Sequence, residues 1–143
     1  MNDQQLKELY NSIKTIATVG ISGNPEKPSF GITLYLKERG YRIIPVNPTA
    51  KEIHGEKVYP DLPSIPDKVD VVQLFRPSEE VMPFVEQAIQ IGARVVWMQE
   101  GIYNPEAARK AEAAGLQVVM NRCMRAEHIR LFGARLFGLF GQR

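Results

Sequence analysis

The chain has 143 residues, 44% of them hydrophobic and 24% charged, with 18 Lys+Arg against 16 Asp+Glu. That composition excludes a disordered chain, and that length gives one hydrophobic core but no room for separate nucleotide and substrate domains of ordinary size. A net charge of +2 leaves no footprint for nucleic acid. A lone cysteine, Cys123, excludes an internal disulfide or a cysteine metal cluster and fits a cytoplasmic setting. The polar start MNDQQLKELY is no secretory signal. No apolar run reaches the roughly 20 residues that span a bilayer, so no membrane partner is expected.

In chain order, a helix over Asp3–Ser12 comes first. Five β-rich apolar runs then recur at intervals of about 25 residues: Thr15–Ile21, Arg42–Val46, Val69–Phe75, Arg94–Met98 and Gln117–Met120. Each is short and nearly unbroken, as in strands covered on both faces. Helical patterns separate most of them. Pro28–Arg39 ends at the natural stop Gly40. Ser78 is a candidate cap for a helix with Glu79 and Glu80 in its first turn. Asn104-Pro105 opens another helix that runs to Gly115. The crossover Asn47–Lys68 holds four prolines and reads as mostly loop around a turn at Asp61–Ile65. A last helix is expected at Met124–Phe132.

Strands alternating with helices at this spacing imply right-handed crossovers. The expected fold is α/β: a Rossmann-like, doubly wound parallel sheet of about five strands in a three-layer α/β/α sandwich. Residues 1–143 are expected to form a single domain, with the packing of the tail 133–143 left open.

In such sheets a ligand sits beyond the strand carboxyl ends, where strand order reverses. The loop after the first run carries Gly20, Ser22, Gly23 and Asn24, then Ser29 and Gly31 at a helix start. Glycines permit a tight turn and a close ligand approach, and a helix N-terminus suits a phosphate. The dinucleotide fingerprint G-x-G-x-x-G is absent. The second run ends in Asn47-Pro48, with Lys51 beyond, where a site for NAD wants an acid for the ribose diol. An amide and a cation suit an adenosine whose ribose carries a phosphate; a plain turn with a solvated lysine is the other reading.

Five blocks in order carry a resemblance: V-G-I-S-G-N-P-x-K-P-S-F-G, G-Y-R-I-I-P-V-N-P, V-D-V-V-Q-L-F-R-P, W-M-Q-E-G-I and N-R-C-M. From about Ile13 to about Phe132 the chain resembles the CoA-binding domain family, which includes small stand-alone bacterial and archaeal proteins. The same fold forms the CoA-binding domain of the succinyl-CoA synthetase alpha chain. The resemblance implies coenzyme A as ligand. It implies that Gly20–Asn24 with Ser22, and Ser29–Gly31, contact the pyrophosphate. Asn47, Pro48 and Lys51 would flank the adenosine, Lys51 meeting the 3′-phosphate. Phe75, Arg76 and Pro77 would wall the adenine or the start of the pantetheine arm, Arg76 adding a phosphate contact. Trp97, Gln99, Glu100 and Gly101 would face the pantetheine end.

Each of these residues also has a plain structural reading: Ser22 as a turn hydroxyl, Arg76 in an ion pair, Trp97 in the core. Cys123, at a helix start beside Arg122 and Arg125, is either a reactive thiol or a small residue closing the junction. His54 and His128 lack metal-ligand spacing and read as surface residues. No paired carboxylates and no Ser–His–Asp set stand out, so the expectation is a protein that binds CoA or an acyl-CoA without catalysis by itself. An NADP-dependent oxidoreductase and a ligand-free interaction module of the same fold are the alternatives. The tail Leu131–Arg143 is too apolar to stay free and too glycine-rich for a firm helix; it is expected to pack on its own domain or on a second subunit. A homo-oligomer, or an accessory subunit of an acyl-CoA enzyme, stays open.

Overall fold

Five parallel strands form the central sheet of the computed structural model, which describes residues 1–140, with side chains through Gly133. They are β1 (Thr15–Val19), β2 (Arg42–Val46), β5 (Val71–Leu74), β6 (Val95–Met98) and β7 (Gln117–Val119), in the order β2-β1-β5-β6-β7. Every pairing is parallel, as Ile16 with Val71 and Val72 with Val96 illustrate. The chain leaves β1 to one side for β2 and returns across it to β5, so strand order reverses between β1 and β5. β5 and β6 are buried along their whole length, which is why their sequences read as nearly unbroken apolar runs, interrupted only by Gln73 in β5, rather than alternating ones.

Helices cover both faces. α1 (Asp3–Ser12), α2 (Pro28–Glu38) and α5 (Met124–Phe140) lie on one side, over a cluster that includes Leu6, Tyr10, Ile16, Leu36, Trp97 and Met124. α3 (Met82–Gln90) and α4 (Pro105–Ala113) lie on the other, over Ala17, Val72, Leu74, Val85, Val96 and Ala107. The α1 start is fixed by a reciprocal pair of bonds between Asn2 and Gln5, a capping box. Asn104 caps α4 through Ala107, as its Asn-Pro sequence implies.

Local expectations are corrected at Ser78 and at the end of α5. Ser78 does not cap a helix: Ser78–Glu80 is a single 3-10 turn and α3 begins at Met82, with Pro83 in its first turn. The Ser78 hydroxyl instead accepts the Tyr103 N–H at 2.9 Å, tying the loop after β6 to the loop after β5. The proline-rich crossover is mostly loop around a 3-10 turn at Leu62–Ser64, as expected, and adds a short hairpin, β3 (Glu52–Ile53) with β4 (Glu56–Lys57). Its turn residues His54 and Gly55 have φ of 58° and 74°, the left-handed pair that a two-residue hairpin loop requires. Helix α5 runs through Gly133 to Phe140, well past Phe132. The side-chain packing expected of residues 134–143 lies outside the described residues.

The histidines are not surface residues. His54 is half-buried, its Nε2 2.8 Å from the Thr33 hydroxyl, and Lys37 donates to its carbonyl, so the hairpin is pinned on α2. His128 is 6% exposed, ringed by Tyr10, Tyr35, Tyr41 and Phe132, with Nδ1 2.9 Å from the Tyr35 hydroxyl. Burial, then the nearby Arg39 charge, pushes the His128 imidazole below its usual value of 6.5. The unfolded chain therefore takes up the proton first, so this contribution to stability is intact above about pH 6.5 and declines as pH falls through the depressed range. The melting temperature should drop on acidification from about pH 7 to 5, and His128→Gln should flatten that dependence. An unchanged slope in the variant would assign the titration to other groups.

Candidate functional site

A cleft of about 850 Å³ opens over the carboxyl ends of β1, β5 and β6, at the reversal of strand order. Residues following each of these strands line it: Gly20 and Ser22 after β1, Phe75-Arg76-Pro77 after β5, and Gln99–Ile102 after β6. Lys27, Pro28, Ser29 and Ile32 enter from the start of α2, and Cys123 from the start of α5. Two helix N-termini therefore face one cleft, each presenting the positive end of its peptide dipoles.

The first turn is built by its own hydroxyls. Ser29 Oγ accepts the Ser22 N–H at 2.9 Å, and Ser22 Oγ accepts the Asn24 N–H at 3.0 Å. Asn24 Oδ1 in turn holds the Glu26 N–H. Gly20 sits at φ 83°, with the Arg76 stem across it and 2.9 Å from the point a Cβ would occupy. The guanidinium of Arg76 pairs with Glu80 at 2.5 Å. Both side chains are about half exposed, so this pair is weak and can give way to a phosphate.

Beneath the loops runs a buried chain of amides. Thr18 donates to Gln73 Oε1 at 2.9 Å, Gln73 Nε2 donates to Gln99 Oε1 at 3.1 Å, and the Met124 N–H donates to the same Oε1 at 2.9 Å. A backbone N–H can only donate, so Gln99 is fixed with its oxygen toward α5. Its Nε2 then has no acceptor among the described residues, although Gln99 is 3% exposed and lines the cleft. The Ser29 hydroxyl, on a residue 6% exposed, receives one N–H and likewise gives its own proton to no described acceptor. The cleft thus presents two donors with no acceptor among the described residues and two cations, Lys27 and Arg76, against one carboxylate, Glu100. Its lining is therefore rich in donors and carries more positive than negative side chains.

Of the residues singled out from the sequence, Gly20, Ser22, Ser29, Phe75, Arg76, Pro77, Gln99, Glu100 and Gly101 come together in this cleft. Gly23, Asn24, Gly31, Asn47, Pro48 and Lys51 lie outside its lining. Trp97 is a correction: it is 0% exposed, it donates from Nε1 to the Arg122 carbonyl at 2.7 Å, and it touches the Tyr10 ring, so it is core. Asn47 is committed to the chain. Its Nδ2 donates to the Ile21 carbonyl and its Oδ1 accepts from Thr49 and Ala50, joining the loops after β1 and β2. A carboxylate there could not make the first of these bonds, which is a structural reason for the missing ribose acid. Lys51 stands exposed just beyond that turn. Lys27, Pro28, Ile32 and Ile102 were not singled out; a lysine directly before the proline of a helix start was the available signal for the first.

The comparisons with known proteins show the family. The model of the CoA binding domain matches residues 14–129. YneT of Bacillus subtilis is 36% identical over 124 residues, which cover 87% of this chain and 92% of that protein. The ADP-forming acetate–CoA ligase II of Archaeoglobus fulgidus is 30% identical over 94% of this chain, which spans only 20% of the ligase. Among solved structures, a protein of Pyrococcus horikoshii superposes with a TM-score of 0.90 at 47% identity, covering 93% of this chain and 94% of that one. Among the described residues no helix is long and apolar enough to cross a membrane, and no group of side chains could hold a metal ion. With its family's segments arranged around a cleft at the strand reversal, this chain belongs to the CoA-binding domain family.

Proposed function

We propose that the cleft binds coenzyme A or an acyl-CoA, as a binding protein without catalysis of its own. The observation that carries this is the surplus of donors: the Ser29 hydroxyl, the Gln99 amide, Lys27 and Arg76 beside two helix N-termini. A diphosphate against the first turn of α2 and carbonyls along the pantetheine arm supply the acceptors such a surface lacks. The adenosine then extends toward Asn47 and Lys51, and the arm toward Gln99 and Cys123. Glu100 is the one carboxylate in the cleft and no imidazole lines it, so its described groups bind and orient rather than shuttle protons. A place as a coenzyme-binding partner of an acyl-activating protein is in keeping with the similarity to a segment of the acetate–CoA ligase.

Calorimetry with CoA, dephospho-CoA and NADP tests the reading. CoA should bind, NADP should bind more weakly or not at all, and acetyl-CoA should be recovered intact from the cell. Absence of CoA binding, or a preference for NADP, would return the protein to the interaction-module or oxidoreductase readings. Lys51→Ala should weaken CoA by about tenfold, the usual scale for one charged contact, and dephospho-CoA much less. Equal losses for both ligands would remove Lys51 from the 3′-phosphate.

A further inference from the structure

Arg76 is a cation of the cleft lining whose counter-ion stands outside it. Its stem packs across the Gly20 turn, with Cγ and Cδ 3.3 and 2.9 Å from the point a Cβ on Gly20 would occupy. From there Nη2 donates to Glu80 Oε1 at 2.5 Å, the one ion pair Arg76 makes among the described residues. Arg76 lines the cleft and Glu80 does not. Glu79, one residue before Glu80, makes no ion pair among the described residues, so Arg76 is held from this turn by Glu80 alone.

The backbone that carries Glu80 is anchored apart from Arg76. Glu80 closes the 3-10 turn Ser78–Glu80, and its N–H donates to the Pro77 carbonyl at 2.8 Å. The head of that turn is tied to the loop after β6: the Ser78 hydroxyl accepts the Tyr103 N–H and the Ser78 carbonyl accepts from Asn104 Nδ2, both at 2.9 Å. Val81, next in the chain, is 0% exposed and roots the turn in the core. Glu80 therefore cannot follow the guanidinium far into the cleft. An anion bound there has to draw Arg76 away from Glu80, because two anions on one cation repel each other. We propose that Glu80 is a positioning residue of the cleft: it holds the Arg76 guanidinium in competition with the ligand and so sets how tightly an anionic ligand binds. The ligand's identity rests on the coenzyme reading above.

The test is Glu80→Gln, with Glu79→Gln as the control for losing one negative charge nearby. Each is measured for ligand-free melting temperature and for affinity toward CoA and inorganic pyrophosphate, alone and combined with Arg76→Ala. Glu80→Gln should tighten both ligands by about twofold to fivefold, the worth of one exposed pair. Its melting temperature should stay near the parent's, since such a pair adds little stability. Glu79→Gln should change affinity by less. With Arg76→Ala, which alone should weaken binding about tenfold, adding Glu80→Gln should change nothing further. A gain that persists without Arg76, or that Glu79→Gln matches, would be an effect of overall charge and would overturn the proposal. An unchanged affinity in Glu80→Gln overturns it too, and so does a loss, which would make Glu80 an aid to Arg76 and no competitor. If the parent binds no CoA, the coenzyme reading fails and pyrophosphate decides the proposal by the same comparisons. Absence of pyrophosphate binding in parent and Glu80→Gln alike also overturns it.

Discussion

Gly20→Val should lower the melting temperature and abolish measurable ligand binding together. The backbone at Gly20 has φ 83°, a conformation that β-branched residues adopt only under strain. Such strain costs about 1–3 kcal/mol, which for a chain of this size is a drop of roughly 2–12 °C. Two contacts add to it. A Cβ would lie 3.3 Å from the Phe75 carbonyl carbon, which is backbone and cannot swing away, and 2.9 Å from Arg76 Cδ, which can. Relief therefore comes by moving Arg76, one of the two cations in the cleft lining. Melting curves with and without CoA check both halves: the ligand-free curve should shift down, and added CoA should no longer raise it. A variant still stabilised by CoA would show that the turn at Gly20 and the seat of Arg76 are not part of the binding surface.

The sheet was legible because its strands are buried on both faces, and burial writes continuous apolar runs into β1, β2, β5 and β6. The start of α4 was legible from Asn104-Pro105 alone. What the sequence hid was long-range. Strands of two residues have no periodicity, so the β3–β4 hairpin left only His54-Gly55 as a trace; it is held from α2 by Lys37 and Thr33, remote in sequence. Ser78 has a capping residue's chemistry, yet it caps nothing, because Tyr103 claims its hydroxyl from another loop. His128 sits in a helix with arginines around it and reads as exposed until Tyr10 and Tyr35 close over it.

The candidate site divides along the same line. Its location followed from topology, and its loops from the blocks that resemble the family. The division of labour within those loops did not follow. Asn47 and Asn24 shape turns with most of their polar atoms, Trp97 is packed in the core, and Lys27 enters from a position whose role depends on where α2 begins. A polar residue after a strand is equally suited to holding the loop or holding a ligand. Only the hydrogen-bond partners tell which, and by that test Ser29 and Gln99 hold the loops while each keeps one donor uncommitted among the described residues.

Gln99 gives the sharpest separation of those two duties. Its Oε1 takes the Met124 N–H and the Gln73 amide, and through Gln73 it reaches Thr18, so one oxygen links β1, β5, β6 and the start of α5. All three side chains are buried, with no water to replace a lost partner. Gln99→Leu would strand a backbone N–H and a carboxamide at about 1–3 kcal/mol each, a large share of the 5–15 kcal/mol that holds a typical domain folded. A loss of roughly 4 kcal/mol lowers the melting temperature by about 8–16 °C. Gln99→Glu has the same shape and keeps an oxygen for both donors, and the first turn of α5 favours a negative charge there. It should therefore melt near the parent while replacing the donor that faces the cleft with an acceptor. CoA affinity should then fall by at least tenfold without a matching loss of stability. If Gln99→Leu melts like the parent, the buried amide chain does not hold the sheet to α5. If Gln99→Glu binds CoA undiminished, the amide nitrogen points at nothing in the ligand, and the donor surplus that motivates the coenzyme reading is one group smaller.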